Sequence, residues 1–437
     1  MSMRVARACF LLLSLALVSG ASAAPPLADR EILPNGIVLL VSERHALPIV
    51  AVNAYVRAGA VLDPPASLGL ANLTAELLTR GTARRSGQEI DRAIESVGGS
   101  LGSGGGRDGA SVSLGVLKRD LALGLDLLAE VLTQPAFPEP ELKRKIEEIQ
   151  AALQNAETEP GSVAWRALAP LLYPGHPYAR PVAGTLATVA TLDRDQVARF
   201  HRERYRPDAT VIAVVGDVTT AEVRAALTAR LGAWMPPPTP PPVIPIAPPV
   251  APPESRVLIR PLTQTTVLLG RPAIRQDSPD YPALVVANYI LGGGSASRLY
   301  SRVREERGLV YGVDATLSAA RHGASQSISL QTRNESADEA VRLVREEMRR
   351  LGRDDVTPGE LELAKAYLIG SYPLRVDTSS KVAGLLIALE EAGLGLDYPE
   401  RYRERIARVT AADVRRVAAL YLDPAAFSTV MVTGKRP

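Results

Sequence analysis

Cysteine is nearly absent from this chain. The single residue, Cys9, lies inside an N-terminal apolar run, so disulfides and thiolate chemistry have no place in the remainder of the chain. Aromatic residues make up only 4%, and 50 Lys and Arg are offset by 47 Asp and Glu with no basic block, which removes the footprint of a nucleic-acid binder. Histidine is equally sparse. His45, His176, His201 and His322 have no partner at i+3 or i+4, so the paired imidazoles of a catalytic zinc helix are missing. Each reads as a surface or loop residue, His176 within the turn PGHPY. No apolar run reaches the roughly 20 residues needed to span a bilayer.

What is present begins with Arg4 and Arg7, the apolar run CFLLLSLALV (9–18) and then SGASAA. This is the pattern of a Sec-type signal peptide cut near Ala23. Residues 1–23 are therefore expected to be removed, leaving an exported chain, periplasmic in a bacterium, with no membrane attachment. Cys9 opens the apolar run instead of closing it, which argues against a lipid anchor.

At 437 residues the chain exceeds what one core serves, so two domains are expected. The boundary is MPPPTPPPVIPIAPPVAPPE (235–254), whose prolines block helix and sheet ladders and favour an extended spacer. It separates 24–234 from 255–437. The two parts look like copies of one unit. TLDRDQVARFHRERYRPDATVIAVVGDV (191–218) matches VTAADVRRVAALYLDPAAFSTVMVTG (409–434): a capped amphipathic helix, an aromatic end, a Pro turn and an apolar strand closed by Gly216 or Gly434. FPEPELKRKIEEIQ (137–150) parallels VTPGELELAKAYLI (356–369), with Glu141 facing Glu360 in the alignment. A repeat of about 215 residues implies two homologous domains and not a solenoid. Within a copy, GIVLLVSE (36–43) and IVAVNAYVRAG (49–59) read as a hairpin, SVSLGVL (111–117) as a half-buried strand and RDLALGLDLLAEVL (119–132) as a helix. The predicted class is α+β, each domain a mainly antiparallel sheet packed with helices.

Two stretches could carry chemistry. In GLANLTAELLTRGT (69–82), Ser67 reads as N-cap, Leu70, Leu73 and Leu77 share a face, and Gly81 stops the helix; the other face carries Asn72, Ala75, Glu76 and Thr79. In ILGGGSASRLYSRVREERGLVYGVDA (290–315), Gly292, Gly293 and Gly294 permit a tight loop before a helix from near Ser295, which carries Arg298, Leu299 and Val303 and ends at Gly308. A phosphate cradle is the rival reading of the glycines, but no GK[ST] comes after them. From spacing alone, Arg304 reads as a solvated charge and Tyr311 as a core strand residue.

Taken together, these stretches resemble the inverzincin peptidases, the insulinase and pitrilysin family that includes the mitochondrial processing peptidase. The first resembles the zinc-helix pattern GxAHFLEHMxFKGT, with Gly69, Ala71, Gly81 and Thr82 in place but Asn72, Ala75 and Glu76 at the HxxEH positions. The family's third ligand, a later glutamate, falls on Glu148 in KIEEIQ. Zinc catalysis needs three donors and a base, and Glu76 with Glu148 supplies two oxygens and no base. The second resembles LGGGxSSRLFxxVREKxGLAYxV nearly position by position, and HPYARPVAGT (176–185) adds to the likeness. The resemblance implies that Arg304 and Tyr311 contact substrate, offering donors to a peptide carbonyl that gains charge when attacked. It further implies one half of a clamshell: a non-catalytic, peptide-binding subunit holding no cofactor itself, with zinc on an HxxEH-bearing heterodimer partner. Two alternatives stay open. One is a structural or assembly scaffold, and the other is a self-sufficient enzyme with an unorthodox metal site at Asn72, Glu76 and Glu148.

Overall fold

A computed structural model describes residues 27–434, so the expected signal peptide lies outside the described residues. Two sheets organise them. The first comprises β1 (Asp29–Ile32), β2 (Val38–Glu43), β3 (Ile49–Val56), β4 (Ser100–Gly105), β5 (Ala110–Leu117) and β6 (Thr210–Gly216) in the order β1-β2-β6-β3-β5-β4. The second comprises β7 (Ser255–Ile259), β8 (Gln264–Pro272), β9 (Val310–Ala320), β10 (Gly323–Arg333) and β11 (Ser428–Thr433) in the order β7-β11-β8-β10-β9. The helices are α1 (Leu70–Leu77), α2 (Gly87–Glu95), α3 (Leu121–Thr133), α4 (Glu139–Thr158), α5 (Pro160–Leu172), α6 (Leu186–Val189), α7 (Arg194–Arg204) and α8 (Thr220–Leu231) in the first part. In the second they are α9 (Tyr281–Gly292), α10 (Ala337–Arg353), α11 (Pro358–Gly370), α12 (Ser379–Ala392), α13 (Tyr398–Arg408) and α14 (Ala411–Tyr421).

The sheets superpose as patterns. A late strand, β6 or β11, lies parallel to one neighbour and antiparallel to the other, and the remaining strands continue in the same sense. Both late strands come after a capped helix, with Asp193 and Gln196 forming the capping box of α7, and Thr410 and Asp413 that of α14. Both close on a glycine for the same reason: a Cβ would stand 2.0 Å from the Ile49 carbonyl oxygen at Gly216 and 1.9 Å from that of Leu262 at Gly434. The fold is an α+β duplication, as the repeats predict.

One pairing differs from expectation. β2 and β3 do not form a hairpin, because β6 inserts between them. Every residue of TVIAVVG is buried, so this strand needs a neighbour on both edges and an apolar layer on both faces, and the central place provides both. Ile212 and Val214 join the core that contains Leu73 and Val52, whereas Val211, Ala213 and Val215 meet Val382, Ala383 and Leu386 of α12. That second layer comes from the other copy. Reciprocally, Leu168 and Leu172 of α5 pack on Leu268 of β8 and Val430 of β11. The copies thus exchange one helix each across the two sheets.

The proline segment carries no helix or strand, yet it is tied down: Arg206 donates to the Thr239 carbonyl at 2.7 Å, and Ala247 N–H to His322 O at 2.7 Å. His176 lies 2.9 Å from the Pro245 oxygen and is buried, not a surface residue as its turn suggests. His201 is also mostly buried, stacked on Tyr205 at 4.6 Å, and burial pushes its imidazole down to about 4 despite its contact with the Leu132 carbonyl.

Candidate functional site

The degenerate helix begins at Leu70 without the Ser67 cap. Gly69, at φ 94°, precedes it, and the Asp63 carboxylate accepts from the Gly69 and Ala71 N–H groups at 2.8 Å each. Ser67 instead ends a short 3-10 turn. A carboxylate reaching in from the preceding loop replaces a hydroxyl cap, which local sequence cannot reveal. Burial raises Asp63 to about 6, against the pull of those two donors.

α1 packs against α4 and the edge strand β4. A Cβ at Gly105 of β4 would stand 2.6 Å from the Asn72 Cα, so the glycine lets the strand pass directly beside the helix. Asn72 is buried and donates from Nδ2 to Glu76 Oε1 at 3.0 Å; Ala75 is fully buried. The residue that sequence reading missed is Lys145. Its ammonium lies 2.6 Å from Glu148 Oε2 and 3.4 Å from Glu76 Oε2. Arg144 holds the other Glu148 oxygen at 2.6 Å. The Lys145 hydrogen bond, then Arg144, keep the Glu148 carboxyl below its usual range despite some desolvation. The two carboxylates therefore share the Lys145 ammonium, with Arg144 as a second cation on Glu148, and the remaining groups are an amide and a methyl. This set does not fit zinc: a dication would have to displace an ammonium, and no base stands beside it to activate water. Among the described residues no group of three or more His, Cys, Asp or Glu could hold a metal.

The second cluster lies on the other sheet. Gly292 ends α9, and Gly293 and Gly294 open the connection to a helix that starts at Arg298, later than Ser295, and continues as a π-helical turn, Tyr300–Glu305. Ser297, buried at the junction, takes part of the turn that the glycines allow. Arg298 locks this helix to α11 through a two-pronged ion pair with Glu360, at 2.6 and 3.1 Å. Burial would raise the Glu360 carboxyl, but Arg298 and the Thr357 backbone donor outweigh it and hold it at about 2.

From that turn Arg304 projects between two rings. Its guanidinium carbon lies 4.6 Å from the Tyr300 centroid and 5.2 Å from that of Tyr311, and Nη1 donates to the Tyr300 hydroxyl at 2.5 Å. It has no carboxylate partner among the described residues. Tyr311 is 87% exposed, not a core residue: it is the extra residue of a β-bulge, skipped between Val310 and Gly312 in the register with β10, and it faces solvent while Val310 and Val313 are buried. The structure thus joins Arg304 to Tyr311 and adds Tyr300, whose place in the motif was visible but whose role needed the π-turn. No hydrogen bond or ion pair links this cluster to Asn72, Glu76 or Glu148 among the described residues.

Similarity to known proteins divides along the same line. Residues 38–186 match the family described as insulinase, peptidase family M16, and 191–368 match the peptidase M16 inactive domain. An uncharacterized zinc protease of Streptomyces coelicolor is 27% identical over 395 residues, 89% of this chain and 86% of that protein. A non-peptidase homolog, YmxG, of Helicobacter pylori is 24% identical, with 90% of each chain covered. The crystal structure of a peptidase M16 inactive domain from Pseudomonas fluorescens is 28% identical and superposes with a TM-score of 0.88 over 94% of this chain and 98% of that one. A Helicobacter pylori protease structure, at 19% identity and a TM-score of 0.85, repeats the fold. Its motifs, fold and matches place this chain in the insulinase-like M16 family, as a non-catalytic member without the HxxEH set.

Proposed function

We propose that this chain is the substrate-binding subunit of a heterodimeric, exported zinc peptidase, supplying Arg304 and Tyr311 to a site whose zinc sits on an HxxEH-bearing partner. The observation that carries this reading is the Arg304 guanidinium, held between Tyr300 and Tyr311 without a counter-charge. A cation oriented in this way, beside an exposed phenol, offers hydrogen-bond donors to a peptide carbonyl and its developing oxyanion. A protein with only a structural task has no use for an unpaired, ring-stacked guanidinium. The Lys145 bridge supports the same division of labour, since this chain pairs both carboxylates with its own cations. The Arg4–Ala23 segment supports export, and the periplasm is the compartment proposed.

The test is co-expression with an HxxEH-bearing relative, followed by a peptide-cleavage assay and metal analysis. This chain alone should cleave nothing and carry no stoichiometric zinc, while the pair should do both. Arg304→Ala should lower turnover of the pair by about a hundredfold, in the range seen for loss of an oxyanion donor, without dissociating the pair. Resemblance to a non-peptidase homolog supports a second reading, a scaffold of the same fold. Unchanged turnover in both Arg304→Ala and Tyr311→Phe would favour it, and zinc-dependent activity of this chain alone would defeat both readings.

A further inference from the structure

The duplication gives the cleft between α1, α4 and β4 a counterpart between α9, α11 and β9. The first copy holds ions, and the second holds rings. Tyr289 of α9 stacks on Tyr367 of α11, with centroids 4.6 Å apart and planes 23° from parallel. Tyr367 stands seven residues after Glu360, as Glu148 stands seven after Glu141, so it occupies in the second copy the place that Glu148 holds in the first. Beside this pair opens a cavity of about 600 Å³ whose wall includes six tyrosines. That volume suits a small ligand or a large side chain, for which sites of roughly 300–1,000 Å³ are usual.

Three features of the cavity call for a ligand of particular chemistry. Its only charged lining residue is Arg375, whose guanidinium stands over the rings of Tyr372 at 5.5 Å and Tyr402 at 5.9 Å and has no carboxylate partner among the described residues. The Tyr372 side chain is only 5% exposed, yet its hydroxyl has no hydrogen-bond partner there. Much of the remaining wall is apolar, with Val285, Leu317, Leu385 and Leu389 beside the rings, and Tyr367 is half exposed. An unpaired cation, an unsatisfied phenol and an apolar wall complement an anion carried on an apolar body. A cationic ligand would meet Arg375 and find no acid in the wall.

We propose that this cavity binds the C-terminal residue of a peptide, a large apolar or aromatic side chain entering among the tyrosines while Arg375 and the Tyr372 hydroxyl take the terminal carboxylate. The inference deepens the substrate-binding reading and rests on it only in making that peptide a substrate. Neither Arg304 nor Tyr311 lines this cavity, so the two can be tested apart.

Calorimetric titration of the purified chain, without any partner, provides the test. The probes are a peptide of about ten residues ending in phenylalanine, as the free acid and as the C-terminal amide, and N-acetyl-phenylalanine. The acid should bind at least about tenfold more tightly than the amide, as expected for one charge-assisted pair. Arg375→Gln should erase that preference by bringing the acid down to about the affinity of the amide; Arg375 is exposed, so the variant keeps its fold, as far-ultraviolet dichroism would verify. Tyr372→Phe should weaken the acid several-fold and the amide less. Equal binding of acid and amide, or binding of neither, overturns the proposal. N-acetyl-phenylalanine presents the same side chain and carboxylate and should bind within about tenfold of the peptide acid, whereas its failure to bind overturns the assignment of the cavity to the terminal residue. A pair that cleaves normally without acid preference loses only this inference, whereas a chain that prefers the acid but never supports cleavage loses only the catalytic partnership.

Discussion

The helix pair α1–α4 and its duplicate α9–α11 hold the same place in two copies of one fold, and they are filled by opposite chemistry. Between the first pair a lysine ammonium bridges two carboxylates. Between the second, two phenol rings stack face to face. The surrounding strands, capped helices and closing glycines agree, so the architecture tolerates either filling. What a position between these helices does is decided by a few side chains and not by the fold.

The comparison breaks most sharply if the first filling can be reversed. Combining Asn72→His, Ala75→Glu and Glu76→His rebuilds the imidazole pair and the base beside Glu148, yet the triple variant should still lack stoichiometric zinc while Lys145 remains. Adding Lys145→Ala should admit the metal, as elemental analysis would read. Zinc in the triple variant alone would show that the ammonium is no obstacle.

The next effect tests how far the copies are separate. Leu386 lies in α12 of the second copy but is fully buried against β6 of the first. Leu386→Ala should cost about 2–5 kcal/mol, the usual range for a buried leucine. Loss should appear in amide-exchange protection of β3 and β6. Protection lost only within the second copy would mean that the packing across copies contributes little.

Smaller still is the stack itself. Tyr367→Ala removes a partly exposed ring pair of the kind worth about 0.5–1.5 kcal/mol, so the urea midpoint should move only slightly. A large shift would make the rings a structural substitute for the lost ion site.

The subtlest test concerns pH. Glu360 titrates lower in the folded chain, at about 2, than its ordinary 4.5, so its pair with Arg298 stabilises above that ordinary value and is lost as pH falls towards 2. The stability difference between the wild type and Glu360→Gln should therefore be greatest near neutrality and close in acid. A gap that is constant with pH would remove the ion pair as its cause.

Both copies are legible in the sequence because capped helix, Pro turn and apolar strand leave signals within about 25 residues. Strand partnership is not: alternation in 36–43 and 49–59 names strands but cannot say that a segment near residue 213 will come between them. Arg304 and Tyr311 are readable as a motif, but Tyr311's exposure requires knowing that the pairing of β9 with β10 skips it. Lys145 is hidden for a related reason. It lies three residues from Glu148 in an ordinary charged helix, and only the approach of α1 turns it into a bridge. The tyrosine cavity gathers residues from 276 to 402, a span no local pattern covers.

The crossing of α5 and α12 also sets the order in which the molecule can be completed. Until residue 392 has been made, the outer face of β6 has no cover, although the strand itself ends at Gly216. The first copy must wait through about two-fifths of synthesis with an apolar face open to water. Folding is thus a property of the whole chain, and a fragment ending at the proline segment would be an aggregation hazard instead of a working domain.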